Sequence, residues 1–116
     1  MVAKIKKAPY IPKQGDVVWV ALDPTLGHEQ KGKRSAVVLS NTKFNESSGL
    51  MIAAPFTSQI KGYPFEVKVH SKKVAGVVLI THIRSLDWKA RNVSFIESLP
   101  KNDIASLREF CELLIS

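Results

Sequence analysis

Side chains that can do chemistry concentrate in two polar segments. Residues 23–34 (DPTLGHEQKGKR) combine carboxylate, imidazole, amide and basic groups without a helix or strand pattern. A loop of that length in a compact domain is usually functional or mobile. Residues 57–63 (TSQIKGY) offer two hydroxyls, an amide, an ammonium and a phenol ring. Hydroxyls and lysine suit phosphate oxygens, and an aromatic face stacks a base with about 1–3 kcal/mol. Composition alone leaves an ordinary polar loop as the other interpretation of each segment.

The elements between these segments are predicted to bring them together. Residues 35–40 and 50–56 read as strands, and residues 41–49 as the hairpin loop between them. Antiparallel pairing centred on that loop would place Arg34 close to opposite Thr57, unless a bulge shifts the register. A fork-shaped guanidinium facing a hydroxyl suits a tetrahedral phosphate.

The histidines and the cysteine indicate no metal site. His28 lies in the first polar segment, where it could reach a substrate. His70 is expected to be ordinary surface, and His82 a hydrogen-bonded residue near a strand end. Their spacing matches no metal motif and does not favour an acid–base pair, although it does not exclude one. A single cysteine, Cys111, rules out an internal disulfide and a cysteine-based zinc site.

The remaining pattern predicts a mainly β domain. Short β-rich runs between turns are expected as strands at residues 17–22, 35–40, 50–56, 64–70, 76–83 and 92–96. Pro55 indicates an edge strand or a bulge. In the tail, apolar residues recur at helical spacing, and Pro100 suits the first turn. They are Ile104, Leu107, Cys111, Leu114 and Ile115. The result is a small, partly open barrel of five or six strands with a C-terminal helix.

Length and charge narrow the class further. With 116 residues and 45% hydrophobic content, the chain is expected to be one globular domain rather than disordered. Its 17 basic against 10 acidic residues give a net charge of +7. Such a surface attracts polyanions: nucleic acid, an acidic protein, or both. The N-terminus lacks the apolar core of a signal peptide, and no apolar run is long enough to span a membrane, so we expect a cytoplasmic protein.

Several phrases, in order along the chain, resemble the MazF/PemK toxins of type II toxin–antitoxin systems. They are residues 15–20 (GDVVWV), 23–30 (DPTLGHEQ), 33–40 (KRSAVVLS), 54–67, 76–79 and 83–87. The resemblance covers a single domain at 15–116 and leaves 1–14 as a basic, flexible N-terminal extension. The family usually has proline after the motif arginine, where this chain has Ser35.

The resemblance implies a fold and an activity. The fold is an SH3-like (CcdB/PemK-type) small barrel of five to seven strands with a C-terminal α-helix. The activity is a metal-independent endoribonuclease, without cofactors, that cleaves single-stranded RNA. The RNA 2′-OH attacks the phosphate and leaves a 2′,3′-cyclic phosphate and a 5′-OH. The implied partners are a second copy of the chain and an acidic antitoxin of MazE/PemI type, with DNA contacted only indirectly through that complex.

The resemblance also implies site residues. Arg34 and Thr57 are the catalytic pair, with Glu29 as a third member. Arginine stays protonated at ordinary pH, which makes it an awkward base. The group that takes the 2′-OH proton is therefore open, with Glu29 and His28 as candidates. The remaining RNA-binding residues are His28, Gln30, Lys31, Lys33, Ser58, Gln59, Lys61 and Tyr63.

Two other classes stay open at this point. CcdB-type toxins share the fold and poison DNA gyrase by protein contact. A non-catalytic SH3-like module would bind nucleic acid or protein without cutting it. Products from a naked RNA would separate both from a ribonuclease.

Overall fold

One antiparallel sheet organises the chain. The computed structural model describes residues 9–21 and 33–116. Within these ranges the elements are β1 (Asp16–Ala21), β2 (Lys33–Val38), α1 (Thr42–Ser48), β3 (Leu50–Thr57), β4 (Glu66–Lys68), β5 (Val77–Leu79), a 3₁₀ turn (Ile80–His82), β6 (Arg84–Asp87), β7 (Ser94–Ser98) and α2 (Lys101–Ile115). The strand order is β4–β5–β3–β2–β1–β7, with β6 also paired to β3. The predicted mainly β fold of five to seven strands with a C-terminal helix is confirmed.

The register between β2 and β3 matches the prediction. Ala36 pairs with Pro55, and the pairing continues to Val38 opposite Ala53. Two residues beyond the first of these pairs, the same register sets Arg34 opposite Thr57. Opposed residues of an antiparallel pair project from the same face of a sheet. The two predicted catalytic side chains therefore leave the sheet on one side, at one end of the strand pair.

The connection between these strands is a helix, so the prediction of a hairpin loop at residues 41–49 was wrong. The Asn41 side chain caps the start of α1 by accepting the Phe44 N–H at 2.8 Å. Gly49 ends the helix with a left-handed φ of 73°. Asparagine at the N-cap and glycine after the last turn are ordinary helix signals. In a segment this short and polar, the strand patterns on either side favour a hairpin loop over a helix.

Asn45 on α1 ties three parts of the chain together and is fully buried. Its Nδ2 donates to the carbonyl oxygens of Pro12 at 2.8 Å and Ser40 at 3.2 Å, and its Oδ1 accepts from Ser40 Oγ at 2.5 Å. Its backbone oxygen accepts from Trp88 Nε1 at 2.9 Å. A buried amide with all these bonds made stabilises a specific packing, whereas an unmade one is costly.

Alternation along the strands divides the core into two clusters, one on each face of the sheet. Helix α2 covers one face, where Leu107 of the helix joins a cluster of Val17, Val37, Ala54, Phe56, Val67, Val78, Ile80 and Leu99. The other carries Val18, Val20, Ala36, Val38, Met51, Ala53, Leu86 and Trp88. By the β2–β3 register, Arg34 and Thr57 extend this second face. We call it the site face.

Strand boundaries differ from the prediction where the chain leaves regular pairing. The predicted strand at 64–70 shortens to β4, although its alternation holds, with Val67 buried and Lys68 and His70 exposed. The predicted strand at 76–83 was wrong as one element, because β5 ends at Leu79 and a 3₁₀ turn follows.

Pro55 was expected on an edge strand or at a bulge, but β3 lies inside the sheet. It pairs with β2 along one side, and with β6 and then β5 along the other. The β6 pairing ends at Ala53 and the β5 pairing starts at Phe56. Pro55 therefore occupies the gap between two partner strands, where a missing N–H is tolerated.

The part of the predicted N-terminal extension that the structure describes, residues 9–14, belongs to the packed fold. Pro12 is fully buried, and Tyr10 and Ile11 pack against the site-face cluster. The Tyr10 hydroxyl donates to Asp16 Oδ2 at 2.5 Å. Burial, together with this carboxylate, raises the pKa of Tyr10. Residues 10–12 therefore pack against the domain predicted at 15–116.

The C-terminal helix α2 is anchored mainly by its first half. Asp103 and Leu107 are buried, whereas Leu114 and Ile115, predicted for the apolar face, are 38% and 86% exposed. The apolar stripe of α2 thus extends beyond the part of the helix that packs against the rest of the chain. Among the described helices, none is long and apolar enough to cross a membrane.

Asn45→Ala should lower the free energy of unfolding by about 2–4 kcal/mol, because it removes three hydrogen bonds of a fully buried side chain and leaves their partners unpaired. Chemical denaturation monitored by tryptophan fluorescence measures the change. Asn102→Ala, at an exposed position of α2, is the control and should stay within about 0.5 kcal/mol of the parent. Equal effects of the two substitutions would contradict the role assigned to Asn45.

Candidate active site

Arg34 and Thr57 line the same two grooves at the open end of the site face. One groove, of about 320 Å³, continues towards Lys61 and Tyr63, and the other towards Ser58 and Ala75. Arg34 is exposed, and Thr57 is partly buried. A guanidinium and a hydroxyl thus face a shared concave surface that is open to a ligand.

The Thr57 hydroxyl is held in place with its own hydrogen available. Thr57 Oγ1 accepts the backbone N–H of Gln59 at 3.1 Å, in a local side-chain turn. The hydroxyl donates to no group among the described residues. A hydroxyl oriented in this way can donate to an anionic oxygen of a ligand in the groove.

Gly76 supports the backbone of Thr57 from behind. It precedes β5, whose Val77 pairs with Thr57. A Cβ built on Gly76 would lie 2.1 Å from the Thr57 carbonyl oxygen and 3.1 Å from the Ser58 nitrogen. Its φ of 106° is also one that side chains rarely adopt. Only glycine allows this close approach of two backbones.

The turn after β3 is built around the carboxylate of Glu66. The backbone N–H groups of Lys61, Gly62 and Tyr63 donate to its two oxygens at 2.8–3.3 Å. The Lys61 ammonium lies 5.9 Å from the centre of the Tyr63 ring, which is 60% exposed rather than the half-buried ring of an ordinary turn. The turn therefore presents a cation and an open aromatic face beside Arg34.

The surroundings of His82 differ in part from those expected. His82 does lie near a strand end, on the 3₁₀ turn between β5 and β6, but the expected hydrogen bond is wrong: the side chain is exposed and forms none with the described residues. Its side chain lines the groove that contains Thr57. It also lines a second, apolar-walled cavity of about 150 Å³ that Arg34 and Arg84 share.

Sequence reasoning missed Arg84 and undervalued His82. The available signal was the polar pair Thr81–His82 inside an otherwise apolar run, which marks the point where the strand stops. Arg84 then pairs with Ala53 on β3, which brings its side chain to the site face. Because the run reads as one strand, the sequence does not predict that either side chain lies near Arg34.

The other predicted residues divide into three groups. Ser58, Gln59, Lys61 and Tyr63 are brought together with Arg34 and Thr57. Lys33 is exposed at the start of β2, next to Arg34. His28, Glu29, Gln30 and Lys31 lie outside the described residues.

His70 was expected to be plain surface, and its ring is 81% exposed. It is nevertheless tied to α2, because its Nδ1 lies 2.8 Å from Asp103 Oδ1 and its backbone N–H donates to the same carboxylate at 2.6 Å. The structure assigns it to the packing of α2 rather than to the grooves.

Charge and donor types at the site suit an anion. Arg34, Arg84 and Lys61 contribute three positive charges, and the one carboxylate among the groove residues, Glu66, is occupied by backbone N–H groups. Within residues 9–21 and 33–116, no group of three or more His, Cys, Asp or Glu side chains could hold a metal ion. The arrangement can bind and polarise a phosphodiester.

Known proteins share this architecture. The sequence model of the PemK-like, MazF-like toxins of type II toxin–antitoxin systems matches residues 13–114. The endoribonuclease toxin MazF of Escherichia coli K12 is 38% identical over 106 residues, which are 91% of this chain and 96% of the relative.

Two solved structures from Deinococcus radiodurans superpose closely. A MazE–MazF complex has a TM-score of 0.81 at 38% identity, covering 93% of this chain and 98% of the matched chain. MazF alone has a TM-score of 0.79 at 44% identity, with coverage of 92% and 98%. Because the family match and these similarities span nearly the whole chain, the chain belongs to the PemK-like, MazF-like toxin family of type II toxin–antitoxin systems.

Proposed function

We propose that this chain is an endoribonuclease toxin that cuts single-stranded RNA at a phosphate held between Arg34 and Thr57. The observation that carries the proposal is the β2–β3 register, which sets a guanidinium opposite a hydroxyl at the open end of the site face. The similarity to an E. coli endoribonuclease toxin supports the same activity. The relatives and structures compared above are MazF-type proteins, which favours a ribonuclease over a gyrase poison or a non-catalytic module.

The proposed chemistry uses the RNA as its own nucleophile. The 2′-OH attacks the adjacent phosphorus and the 5′ oxygen leaves, which gives a 2′,3′-cyclic phosphate and a 5′-OH. Because the nucleophile is already attached, the protein's main task is alignment, and no bound water needs activation by a metal. Arg34 stabilises charge on the phosphorane-like transition state and on the leaving oxygen. Thr57 donates to a non-bridging phosphate oxygen.

The grooves on either side of Arg34 provide a path for the strand. Tyr63 offers a stacking face for a base, and Lys61 a cation for a neighbouring phosphate. Ser58 and Gln59 border the second groove. We assign RNA contacts also to Lys33, His28, Gln30 and Lys31, and a catalytic role to Glu29, all from the first polar segment of the sequence.

Arg34→Ala should reduce cleavage of a naked single-stranded RNA by about 10²–10³-fold or more, because a charge-stabilising donor at the transition state is lost. Thr57→Ala should lose about 10²-fold, while Thr57→Ser should recover most of that loss by restoring the hydroxyl. Arg34→Lys should remain impaired, because an ammonium cannot form the two-pronged contact. Single-turnover rates with a fluorescent oligonucleotide provide the measurement.

Lys43→Ala is the control, since it removes one positive charge from the exposed surface of α1. It should keep the parent rate. The assay is run in excess EDTA, where the parent enzyme should stay active and form cyclic phosphate ends. Full activity of both alanine variants would refute the site, and loss of parent activity in EDTA would refute the metal-free chemistry.

Gly76→Ala tests whether the position of Thr57 matters. The new Cβ would meet the Thr57 carbonyl and displace the strand end that carries the hydroxyl. A misplacement of about 1 Å at a reacting group costs roughly 10²-fold in rate. The expected result is a fall of that size in the single-turnover rate, at a temperature where the variant is folded by circular dichroism.

Gly49→Ala is the matched control, because Gly49 also has a positive φ but open space around its Cβ position. Both substitutions introduce backbone strain of about 1–2 kcal/mol. Only the substitution at Gly76 should slow cleavage by the folded protein. Equal rates in the two variants would show that Gly76 does not position Thr57.

The chain is also proposed to act as a homodimer with an acidic antitoxin in the cytoplasm. Leu113, Leu114 and Ile115 leave apolar surface exposed at the end of α2, beside an apolar groove lined by Ile52 and Ile83. Exposed apolar patches of this kind mark association sites. The net charge of +7 suits an acidic partner, and the similar MazF of D. radiodurans is found in complex with MazE.

Size-exclusion chromatography with light scattering tests both partners. The purified chain should elute with twice its monomer mass, and Ile115→Lys should shift it towards the monomer by placing a charge in the contact. An acidic antitoxin of MazE type should form a larger complex with it and stop cleavage. A monomeric parent, or no complex with that protein, would contradict the proposal.

A further inference from the structure

The proposed cleavage lacks a group that removes the 2′-OH proton, and few side chains around Thr57 can serve. The ionisable residues lining its main groove are Arg34, Lys61, Tyr63, Glu66 and His82. Arginine, lysine and tyrosine side chains carry their protons near neutral pH and are poor acceptors. Glu66 and His82 therefore remain among the described residues.

Glu66 is already committed to the fold. Both of its oxygens accept backbone N–H groups from Lys61, and Oε1 also accepts those of Gly62 and Tyr63. A carboxylate that gained a proton would lose part of this network and loosen the turn. Its role is to shape the groove, which leaves the imidazole of His82 as the candidate acceptor among the described residues.

His82 lies where an acceptor is needed. The strands before and after its 3₁₀ turn both pair with β3, to which Thr57 belongs. The imidazole lines the Thr57 groove and the apolar-walled cavity, and Arg34 is the other ionisable side chain that lines both. The described residues offer it no hydrogen-bond partner, so a ring nitrogen is free to accept from a ligand.

We propose that His82 is the general base of the cleavage reaction, which rests on the function proposed above. A neutral ring nitrogen takes the 2′-OH proton while the O2′–P bond forms, and the ring becomes an imidazolium. As the P–O5′ bond breaks, O5′ takes up a proton, which Arg34 supplies and regains from water. The imidazolium then returns its proton to solvent, so the enzyme is restored.

Ionisable side chains surround this imidazole on several, though not all, of the neighbouring elements. Arg34 lies on β2, Arg84 on β6, Glu66 on β4, and Lys61 and Tyr63 on the turn before β4. Helix α2, which also packs near the 3₁₀ turn, places Arg108, Cys111 and Glu112 beside Ile83. The strand β3 contributes no ionisable side chain to this set.

The pH dependence of single-turnover cleavage is the first test. The parent rate should rise through the range of about pH 5–8 in which imidazoles lose their proton. His82→Gln keeps a polar side chain without a titrating ring, so it should flatten this rise and reduce the maximal rate by about 10²–10⁴-fold. RNA affinity should change by less than about threefold, since the base acts in the chemical step. His70→Gln, which changes the other described histidine, should keep the parent profile.

The leaving group separates a base from an acid. An RNA with sulfur replacing the scissile 5′ oxygen expels a thiolate, which needs no proton to leave. Arg34→Ala should recover a large part of its lost rate on this substrate, whereas His82→Gln should not. Rescue of His82→Gln to the parent rate would assign the residue to the leaving group and overturn the proposal.

Variants in the first polar segment complete the test. His28→Gln and Glu29→Gln should each keep the rise of the rate with pH. If either one flattens it while His82→Gln does not, the base is that residue and the proposal fails. If the parent chain does not cut RNA at all, the proposed function fails instead, so the two failures are distinguishable.

Discussion

The antiparallel register of β2 and β3 is the constraint on which the site depends. Two strands that start their pairing at Val38 and Ala53 can set only one residue opposite Thr57, and that residue is Arg34. A shift by one residue would send the guanidinium to the opposite face, into the core covered by α2. Burial of valines and alanines on both faces therefore fixes the proposed catalytic pair as firmly as it fixes the fold. The same packing therefore stabilises the sheet and determines the geometry of the site.

Carboxylates explain how a strongly basic chain keeps ordered turns. Glu66 binds the N–H groups of the turn beside Thr57, and Asp87 binds those of the turn before β7. Glu97 accepts from the Ser71 hydroxyl and from two backbone N–H groups. Partial burial acts to raise the pKa of Glu97, but these hydrogen bonds outweigh it and lower the pKa. The turn therefore loses this support only when acid protonates the carboxylate. These carboxylates bind backbone groups of the chain itself. The excess positive charge remains on the surface, where it can attract RNA or an acidic protein.

Regular alternation was predictable from the sequence, and breaks in pairing were not. The facing of Arg34 and Thr57 followed from counting residues between two apolar runs, and the amphipathic spacing of α2 fixed the last element. The same counting could not show that a helix replaces the hairpin loop, because a helix and a loop of equal length leave the strand register unchanged. Nor did it place His82: the polar pair Thr81–His82 indicates that the strand ends, but it does not show that a 3₁₀ turn follows. Tertiary contacts decide such cases.

The site forms where sheet pairing stops. Along one side of β3, β6 pairs up to Ala53 and β5 resumes at Phe56, and Pro55 cannot donate to a ladder in between. The chain crosses this gap as a 3₁₀ turn, which directs His82 outward, whereas a continuous strand would have alternated into the core. On the other side of β3, the register with β2, paired from Ala36 to Val38, places Arg34 opposite Thr57. Arg34 therefore lies along the edge of β3 that pairs with β2, and His82 lies along the other edge, where the pairing is interrupted. Bond formation and bond cleavage at a single phosphate need two such groups from different directions.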